Sequence, residues 1–150
     1  MENYMKLEIA AVSENESFAR SAVAAFALSL NPSFSELSDI KTAVSEAVTN
    51  CIVHGYSRQG EGQKIVIECR LEKAEDGGAI HIEITDFGKG IEDVEQALTP
   101  FFTTLQDEER SGMGFTIMQT FMTEFSVTSE RGKGTRVCMK KQIGERERTE

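Results

Sequence analysis

The segment 45–56, which reads SEAVTNCIVHGY, carries two patterns at once. It continues an apolar stripe at helical spacing, so we expect it to lie on a helix. Glu46 and Asn50 stand one turn apart and project from one side, away from that stripe. A carboxylate can act as a general base, and an amide oxygen can bind a Mg²⁺ ion whose other ligands are phosphates and water. On an isolated helix, a solvated polar face would be the simpler interpretation.

Three glycine-bearing turns follow this segment and argue against the simpler interpretation. They read DFGKG at 86–90, SGMG at 111–114 and GKGT at 132–135. The sequence contains no GxxxxGK[ST] motif, which excludes a P-loop. Together with the helix, the three turns predict an ATP site that is built without a P-loop.

The first turn suggests how a nucleotide base would be recognised. Asp86 ends a predicted strand, and a carboxylate there can accept a hydrogen bond from an exocyclic amine such as that of adenine. Gly88 and Gly90 let the backbone approach a flat ring closely. Thr135 is expected on the strand beside Asp86, where its hydroxyl would hold a water at the base end. An ordinary turn is the alternative interpretation of these glycines.

The second turn precedes a predicted helix that begins with Gly114. Free backbone N–H groups and the positive end of the dipole make a helix start an anion site, and two glycines let the main chain wrap around phosphate oxygens. Arg110 lies directly before the turn, within reach of a terminal phosphate. The segment 99–111 lacks strong periodicity, so it is predicted to be a mobile lid.

The remaining patterns predict alternating helices and strands. A first helix is expected to be capped by Ser13 with Glu16 as its capping-box partner, and to end at Asn31. A second helix is expected to start at Ser35 or Ser38 and to stop near Gly55. The other predicted elements are strands at 5–9, 65–71, 80–85, 125–130 and 135–141, a turn at 75–78, and helices at 91–98 and from 114 to about 124.

This order of elements predicts one domain over residues 1–150. Its fold class is an α/β two-layer sandwich, in which a mixed, mostly antiparallel sheet carries helices on one face. The charged tail at 144–150 is expected to be frayed.

Composition restricts the function further. Of the 150 residues, 39% are hydrophobic and the formal net charge is -9, which fits a globular protein and argues against binding a phosphate backbone. A basic protein partner is compatible with this charge. Cys51, Cys69 and Cys138 form no CxxC pair and are predicted to be buried free thiols in a reducing compartment. No signal peptide or membrane-spanning run is recognisable, so the protein is expected in the cytoplasm, without membrane or nucleic-acid partners.

The ordered motifs resemble the ATPase superfamily that includes gyrase, sensor histidine kinases and mismatch-repair ATPases, whose fold is the Bergerat type. More closely, four segments resemble the anti-sigma factor family of endospore-forming bacteria, namely 13–20, 45–56, 102–104 and 109–118. Departures from that family occur at Cys51, where a small apolar residue is usual, and at Phe87, Lys89 and Glu92. None of these replaces a motif residue.

The resemblance implies a role for each matching residue. Glu46 would be the general base for a serine hydroxyl, Asn50 the Mg²⁺ ligand and Asp86 the reader of adenine. Arg110 would meet the γ-phosphate. The other positions implied in nucleotide binding are Gly88, Gly90, Thr104, Ser111, Gly112, Met113, Gly114 and Thr135.

The resemblance also implies partners. With ATP and Mg²⁺ bound, a homodimer would hold the sporulation sigma factor F away from RNA polymerase, and it would phosphorylate an anti-anti-sigma protein on serine. Glu16 and Arg20 would belong to the docking surface, although the sequence alone favours a surface salt bridge of little energetic value. An exposed first strand could pair across the two-fold axis of the dimer.

Other functions remain open at this point. The chain could be a binding module whose nucleotide only gates capture of the sigma factor, without phosphoryl transfer. It could also be an anti-sigma kinase for a stress or other sigma factor. The catalytic half of a histidine kinase is the least favoured, because the only histidines, His54 and His81, lie on a predicted helix and a predicted strand.

Overall fold

The computed structural model describes residues 3–57, 59, 62–98 and 114–144, and these form an α/β fold. The elements in chain order are β1 (Asn3–Ala10), α1 (Asn15–Ala27), α2 (Phe34–Asn50), β2 (Lys64–Lys73), β3 (Gly78–Asp86), α3 (Val94–Ala97), α4 (Gly114–Phe121), β4 (Glu124–Glu130) and β5 (Gly134–Ile143). The five strands form one sheet in the order β1-β2-β3-β5-β4. The predicted sequence of helices and strands is therefore confirmed for the described residues.

All four strand pairings in this part of the chain are antiparallel, so the sheet is more regular than the mixed sheet that was predicted. β3 is the central strand, and its last residue, Asp86, lies opposite Thr135 of β5. Among the described strands, β1 pairs only with β2 and forms one edge of the sheet, as expected from the sequence.

The core lies between the helices and one face of the sheet. Along much of β2 and β3, buried residues alternate with more exposed ones, as expected for a sheet with one covered face. α2 contacts both α1 and α4, so it is the central helix of the second layer. Fully buried side chains from both layers meet there, including Val23, Leu30, Ile40, Val44, Ile65, Ile67, Leu71, Ile80, Ile82, Ile84 and Met118.

The start of α1 differs from the prediction. The helix begins at Asn15, and its N-cap, Glu14, makes no side-chain capping bond, so the predicted capping box of Ser13 and Glu16 is wrong. The physical reason is that the Glu16 carboxylate bonds Arg20 and Ser45 instead. A 3₁₀ turn at Leu28–Leu30 follows α1.

A capping box lies instead at the start of α2. Ser33 Oγ accepts from the Glu36 N–H at 3.0 Å, and Glu36 Oε1 accepts from the Ser33 N–H at 2.8 Å. α2 therefore begins at Phe34, before either predicted start, Ser35 or Ser38. A serine followed three residues later by glutamate is the sequence signature of this cap, and Ser33 carries it as Ser13 does.

The end of α2 is also unusual. Residues Cys51–Gly55 form one π-helical turn, in which the Tyr56 N–H donates to the Cys51 carbonyl at 2.9 Å. A single π turn inside a helix often marks a functional position. The predicted helix at 91–98 is reduced to Val94–Ala97, and the helix that begins at Gly114 ends at Phe121 rather than near residue 124. No helix in the described ranges is both long and apolar enough to cross a membrane.

Candidate nucleotide-binding site

A cavity of about 800 Å³ lies where α2, the end of β3 and the start of α4 meet. It has the size of a small-molecule site. The described residues that line it include Ala47, Asn50, Cys51, His54, Gly55, Asp86, Lys89, Gly90, Glu92, Gly114, Phe115, Arg131 and Thr135. The structure thus brings together residues from several sequence motifs that lie far apart in the chain.

Asp86 is the buried acid of this cavity, with only 4% of its surface exposed. The Gly88 N–H donates to its Oδ1 at 2.9 Å. Burial raises the pKa of the Asp86 carboxyl, although the Gly88 N–H and the neighbouring Cys51 and Thr135 oppose the shift. The result is a fixed hydrogen-bond acceptor in the wall of the cavity.

Two glycines allow the backbone to close tightly around Asp86. A Cβ on Gly55 would lie 2.8 Å from Asp86 Oδ2, and a Cβ on Gly88 would lie 2.0 Å from the Gly55 carbonyl oxygen. The Lys89 N–H donates to that same carbonyl at 2.9 Å. The turn after β3 is therefore locked against the π turn after α2, and side chains are excluded from the contact. The contact of Gly88 here is with the backbone of Gly55, so the expectation that Gly88 and Gly90 admit a flat ring stays a prediction.

Thr135 lies beside Asp86, as predicted, and a serine supports it. Ser129 Oγ donates to the Gly134 carbonyl at 3.0 Å and accepts from the Ile91 N–H at 2.7 Å. Since a hydroxyl has one proton, the 2.8 Å contact between Ser129 and Thr135 has Thr135 Oγ1 as its donor. Ser129 was not identified from the sequence, where nothing distinguished it from other strand serines.

Tyr56 fixes the residue that follows Asp86. Its hydroxyl donates to the Lys64 carbonyl at 2.8 Å and accepts from the Phe87 N–H at 2.7 Å. Burial raises the pKa of this phenol. Tyr56 belongs to the segment that opened the sequence analysis, but its role in holding the Asp86 turn was not predicted.

Asn50 and Glu46 occupy different positions relative to the cavity. Asn50 lines it, at the end of α2, whereas the half-buried Glu46 is not among the described lining residues. Ala47, the neighbour of Glu46, does line it. In the described ranges, no group of three or more His, Cys, Asp or Glu side chains could hold a metal ion. A Mg²⁺ ion here would fit an arrangement in which Asn50 is one ligand and phosphates and water supply the others.

The start of α4 closes another side of the cavity. Gly114 lines it at the first residue of the helix, so the positive end of the α4 dipole lies at the cavity. Several predicted site residues lie outside the described residues, namely Thr104, Arg110, Ser111, Gly112 and Met113, together with the predicted lid. Their assignments stay predictions.

Comparisons with known proteins agree with this geometry. Residues 9–141 match the histidine kinase-like ATPase domain family. Over 142 residues the chain is 56% identical to the anti-sigma F factor of a Thermoanaerobacter species, covering 95% of both chains. It is 55% identical to that of Clostridium botulinum, with 95% and 96% coverage, and 50% identical to that of Clostridium acetobutylicum, again with 95% and 96% coverage. The chain belongs to the anti-sigma F factor family.

Membership of the anti-sigma F factor family confirms the resemblance and the fold that were expected from the motifs. The ATPase domain implies ATP binding, and the cavity has features that suit it. The cavity is lined by the buried acceptor Asp86, by the amide of Asn50 and by the start of α4 at Gly114. It is also lined by two glycines that have no room for a Cβ, Gly55 and Gly90. The roles of the individual residues stay predictions.

Glu16 and Arg20, the predicted docking residues, form an ion pair at 2.7 Å, as an i,i+4 pair on α1 should. The ion pair is partly buried, and both of its members also form hydrogen bonds with a third residue. Arg20 donates to Ser45 Oγ at 3.2 Å, and the Ser45 hydroxyl donates to Glu16 Oε2. This network ties α1 to the part of α2 that directly precedes Glu46, which the sequence did not indicate.

All three cysteines are free, as predicted. Cys51 and Cys69 are buried, but Cys138 is only partly buried, which corrects the prediction of three buried thiols. Cys138 lies between Glu83 and Ser126 in the sheet register, on strand positions that alternate away from the core. Of the three, Cys51 is the one that lines the cavity in the described part of the chain.

Proposed function

We propose that this protein is an anti-sigma factor and serine protein kinase. In its ATP form it would bind sigma factor F, and it would phosphorylate an anti-anti-sigma protein on serine. The observation that carries the proposal is the position of Asp86, a buried acceptor in a cavity that Asn50 also lines. The names of relatives that match 95% of the chain support the sigma-binding part of the proposal.

ATP would occupy the cavity with its adenine at Asp86. The exocyclic amine would donate to the carboxylate, while Gly88 and Gly90 leave room for the ring and Thr135 holds a water beside it. Asn50 would bind Mg²⁺, and the phosphates would lie toward the start of α4 at Gly114. Thr104, Ser111, Gly112 and Met113 are proposed as further nucleotide contacts.

The chemistry would be a direct transfer between two oxygens. The serine oxygen of the partner forms a bond to the γ-phosphorus as the bond to the β,γ-bridging oxygen breaks, which releases ADP. Glu46 accepts the proton of the serine hydroxyl, and Arg110 stabilises charge on the transferring group. Phosphate recognition and proton acceptance are thus assigned to different residues of the protein.

Partner binding is proposed at the Glu16 and Arg20 surface of α1. The net charge of -9 suits a partner with a basic surface. We further propose a homodimer that pairs through the edge strand β1, action in the cytoplasm, and a role in sporulation.

The proposal is tested by transfer of labelled γ-phosphate to a cognate anti-anti-sigma protein. We expect Glu46→Gln to bind ATP with unchanged affinity and to transfer at least about a hundredfold more slowly, because the base is lost. Asp86→Asn should instead weaken nucleotide binding itself. Undiminished transfer by Glu46→Gln would remove that residue from its proposed role.

A second candidate is a nucleotide-gated sigma-binding module without transfer. It is favoured by one observation, that Glu46 is absent from the described lining of the cavity. In that case ATP and ADP would change sigma affinity, while no labelled product would form with any serine-bearing partner. The identity of the sigma factor that co-purifies from the host distinguishes sigma factor F from a stress or other sigma factor.

A further inference from the structure

Lys141 is a charged residue at a position of β5 that faces the helices. In the sheet register it lies opposite the fully buried Ile80. Its neighbours on the same side of β5, Met139 and Ile143, are buried in the core, and the Lys141 side chain is only 14% exposed. Burying an ammonium group costs free energy unless other hydrogen bonds replace those to water, so the partners of Lys141 show what the residue does.

The ammonium group of Lys141 bonds to both helices that border the cavity. Its Nζ donates to the Asp39 carboxylate of α2 at 2.9 Å. The same atom donates at 2.6 Å to the carbonyl of Phe121, which is the last residue of α4. A cation at the carboxyl end of a helix also interacts favourably with the helix dipole. One side chain of the sheet therefore fixes the end of α4 against α2.

α4 is short, so a shift at one end moves the other end as well. Its eight residues span about 12 Å at a rise of 1.5 Å per residue. Near its middle, Met118 is fully buried, and its first residue, Gly114, lines the cavity. Release of the Phe121 end would let the helix tilt about Met118. Such a tilt would change the position of Gly114 relative to Asn50, which lines the cavity from α2.

The contacts that hold the base end of the cavity come from other parts of the fold. The Gly88 N–H bonds to Asp86, and the turn that contains Gly88 packs against the backbone of Gly55. These residues belong to the turn after β3 and to the π turn after α2. A change in the orientation of α4 should therefore weaken phosphate binding and leave binding of the base unchanged.

We infer that Lys141 is a positioning residue for the nucleotide phosphates, which sets the start of α4 at the correct distance from Asn50. The inference rests on the proposed function, because it assumes that the phosphates lie between Asn50 and the start of α4. Since Lys141 contacts the opposite end of α4, it acts through the helix and does not touch the nucleotide.

The experiment compares ADP, which carries phosphates, with adenosine, which lacks them, on the full-length protein with Mg²⁺. Calorimetric titration measures the ADP affinity, and NMR titration measures the weaker affinity for adenosine. For Lys141→Met we expect ADP affinity to fall about three- to tenfold, the range of one modest hydrogen bond, with adenosine affinity unchanged. Lys141→Arg, which keeps a cation with several N–H donors, should retain most of the ADP-to-adenosine ratio.

Lys140→Met is the matched control for the loss of charge. Lys140 precedes Lys141 on β5 but lies on the other face of the sheet, opposite His81, and its Nζ is 3.8 Å from a carboxylate oxygen of Glu124. Both methionine variants lose one positive charge from the same strand, so a long-range electrostatic effect would weaken ADP binding in both. Only Lys141→Met should change the ADP-to-adenosine ratio.

A double variant separates positioning from stability. Lys141→Met removes one partner of a largely buried ion pair and should lower stability, whereas Asp39→Leu together with Lys141→Met replaces the pair by apolar side chains and should restore most of it. We expect the double variant to keep the lowered ADP-to-adenosine ratio, because it lacks the donor to the Phe121 carbonyl. A ratio that returns to the wild-type value together with stability would overturn the inference.

NMR of the nucleotide-free protein supplies a readout that needs no enzyme activity. The amide resonances of Gly114 and Phe115 should shift in Lys141→Met and stay in place in Lys140→Met, because only the first variant releases the far end of α4. Unshifted resonances, or an unchanged ADP-to-adenosine ratio in Lys141→Met, would overturn the inference alone. Failure of the wild-type protein to bind ADP would overturn the proposed function as well.

Discussion

The cavity has two sides that are built in different ways. On the Asp86 side, defined by Gly55, Asp86, Gly88 and Ser129, backbone packs against backbone and the polar groups bond to partners inside the protein. On the Asn50 side, defined by Asn50, His54 and Gly114, single side chains and a helix start face the cavity. The difference suggests that changes on the Asp86 side alter the fold and base binding together, whereas changes on the Asn50 side alter chemistry first.

The largest effect is expected from Gly88→Ala, on the Asp86 side. The new methyl group would lie 2.0 Å from the Gly55 carbonyl oxygen, so the locked backbone must separate. We expect the free energy of unfolding to fall by more than about 3 kcal/mol and ADP binding to be lost. Chemical denaturation and calorimetry measure the two effects.

Gly132→Ala is the control for that substitution. Gly132 has a φ of +81°, but a methyl group at this position would meet no other atom within 4 Å. Only backbone strain of about 1–2 kcal/mol is therefore expected. ADP binding should be retained. Equal losses of unfolding free energy and of ADP binding in the two variants would show that the close contact between Gly55 and Gly88 is not required for either property.

Asp86→Asn should have the next largest effect, on binding rather than folding. The amide would present a donor or a reoriented oxygen to the amine of adenine, so we expect at least about tenfold weaker ADP binding.

Asn50→Ala, on the other side of the cavity, should weaken the Mg²⁺-dependent part of ADP affinity and retain Mg²⁺-independent binding. Titrations with Mg²⁺ and with a chelator separate the two variants. If both lost the same component, the two sides would not be functionally distinct.

The pH dependence of stability tests the burial of Asp86. Because its pKa is raised in the folded protein above the ordinary value of 3.8, the native state holds this proton more tightly than the unfolded chain. Its contribution to stability is complete below about 3.8 and is lost as pH rises through the raised native pKa. The unfolding free energy of the wild type minus that of Asp86→Asn should therefore decrease with rising pH in this window. A difference that is flat or increasing would contradict the assignment.

Ser129→Ala should have a smaller effect. It removes the hydroxyl that links Ile91, Gly134 and Thr135, and we expect a loss of about 1–2 kcal/mol in unfolding free energy. Ser126 lies on the same strand but is exposed, so Ser126→Ala should change stability by less than about 0.5 kcal/mol. Similar losses in both variants would mean that Ser129 has no special part in the Asp86 side.

The smallest effect is expected in the network between α1 and α2. Ser45→Ala should cost about 0.5–1 kcal/mol, because its partners Glu16 and Arg20 keep their own ion pair and part of their solvent contact. A double-mutant cycle with Arg20→Ala measures the coupling. Lys133→Ala, which breaks an exposed 3.5 Å pair with Glu130, is the control with an effect near zero.

The sequence predicted the order of elements and most of the Asp86 side. The alternation of apolar and polar residues was strong enough to predict β2 and β3. Asp86 was identified because it is a carboxylate at the end of a strand and is followed by Gly88 and Gly90. The capping box was assigned to the wrong serine, because Ser13 and Ser33 both fit the pattern and tertiary contacts of Glu16 decided between them.

The supporting residues could not be predicted in the same way. Ser129 and Tyr56 act through contacts that join strands and turns far apart in the chain, and local patterns do not show such contacts. The π turn depends on one hydrogen bond from Tyr56 to Cys51, which periodicity cannot distinguish from an ordinary helix end. Cys51 was therefore interpreted as packing, although it lines the cavity.

A crystal structure of the protein with ADP and Mg²⁺ tests the central claim most directly. The account predicts that the amine of adenine lies within hydrogen-bond distance of Asp86, and that the Asn50 side-chain oxygen coordinates the Mg²⁺ ion. A nucleotide bound elsewhere, with this cavity empty, or an Asn50 side chain turned toward the core would contradict it.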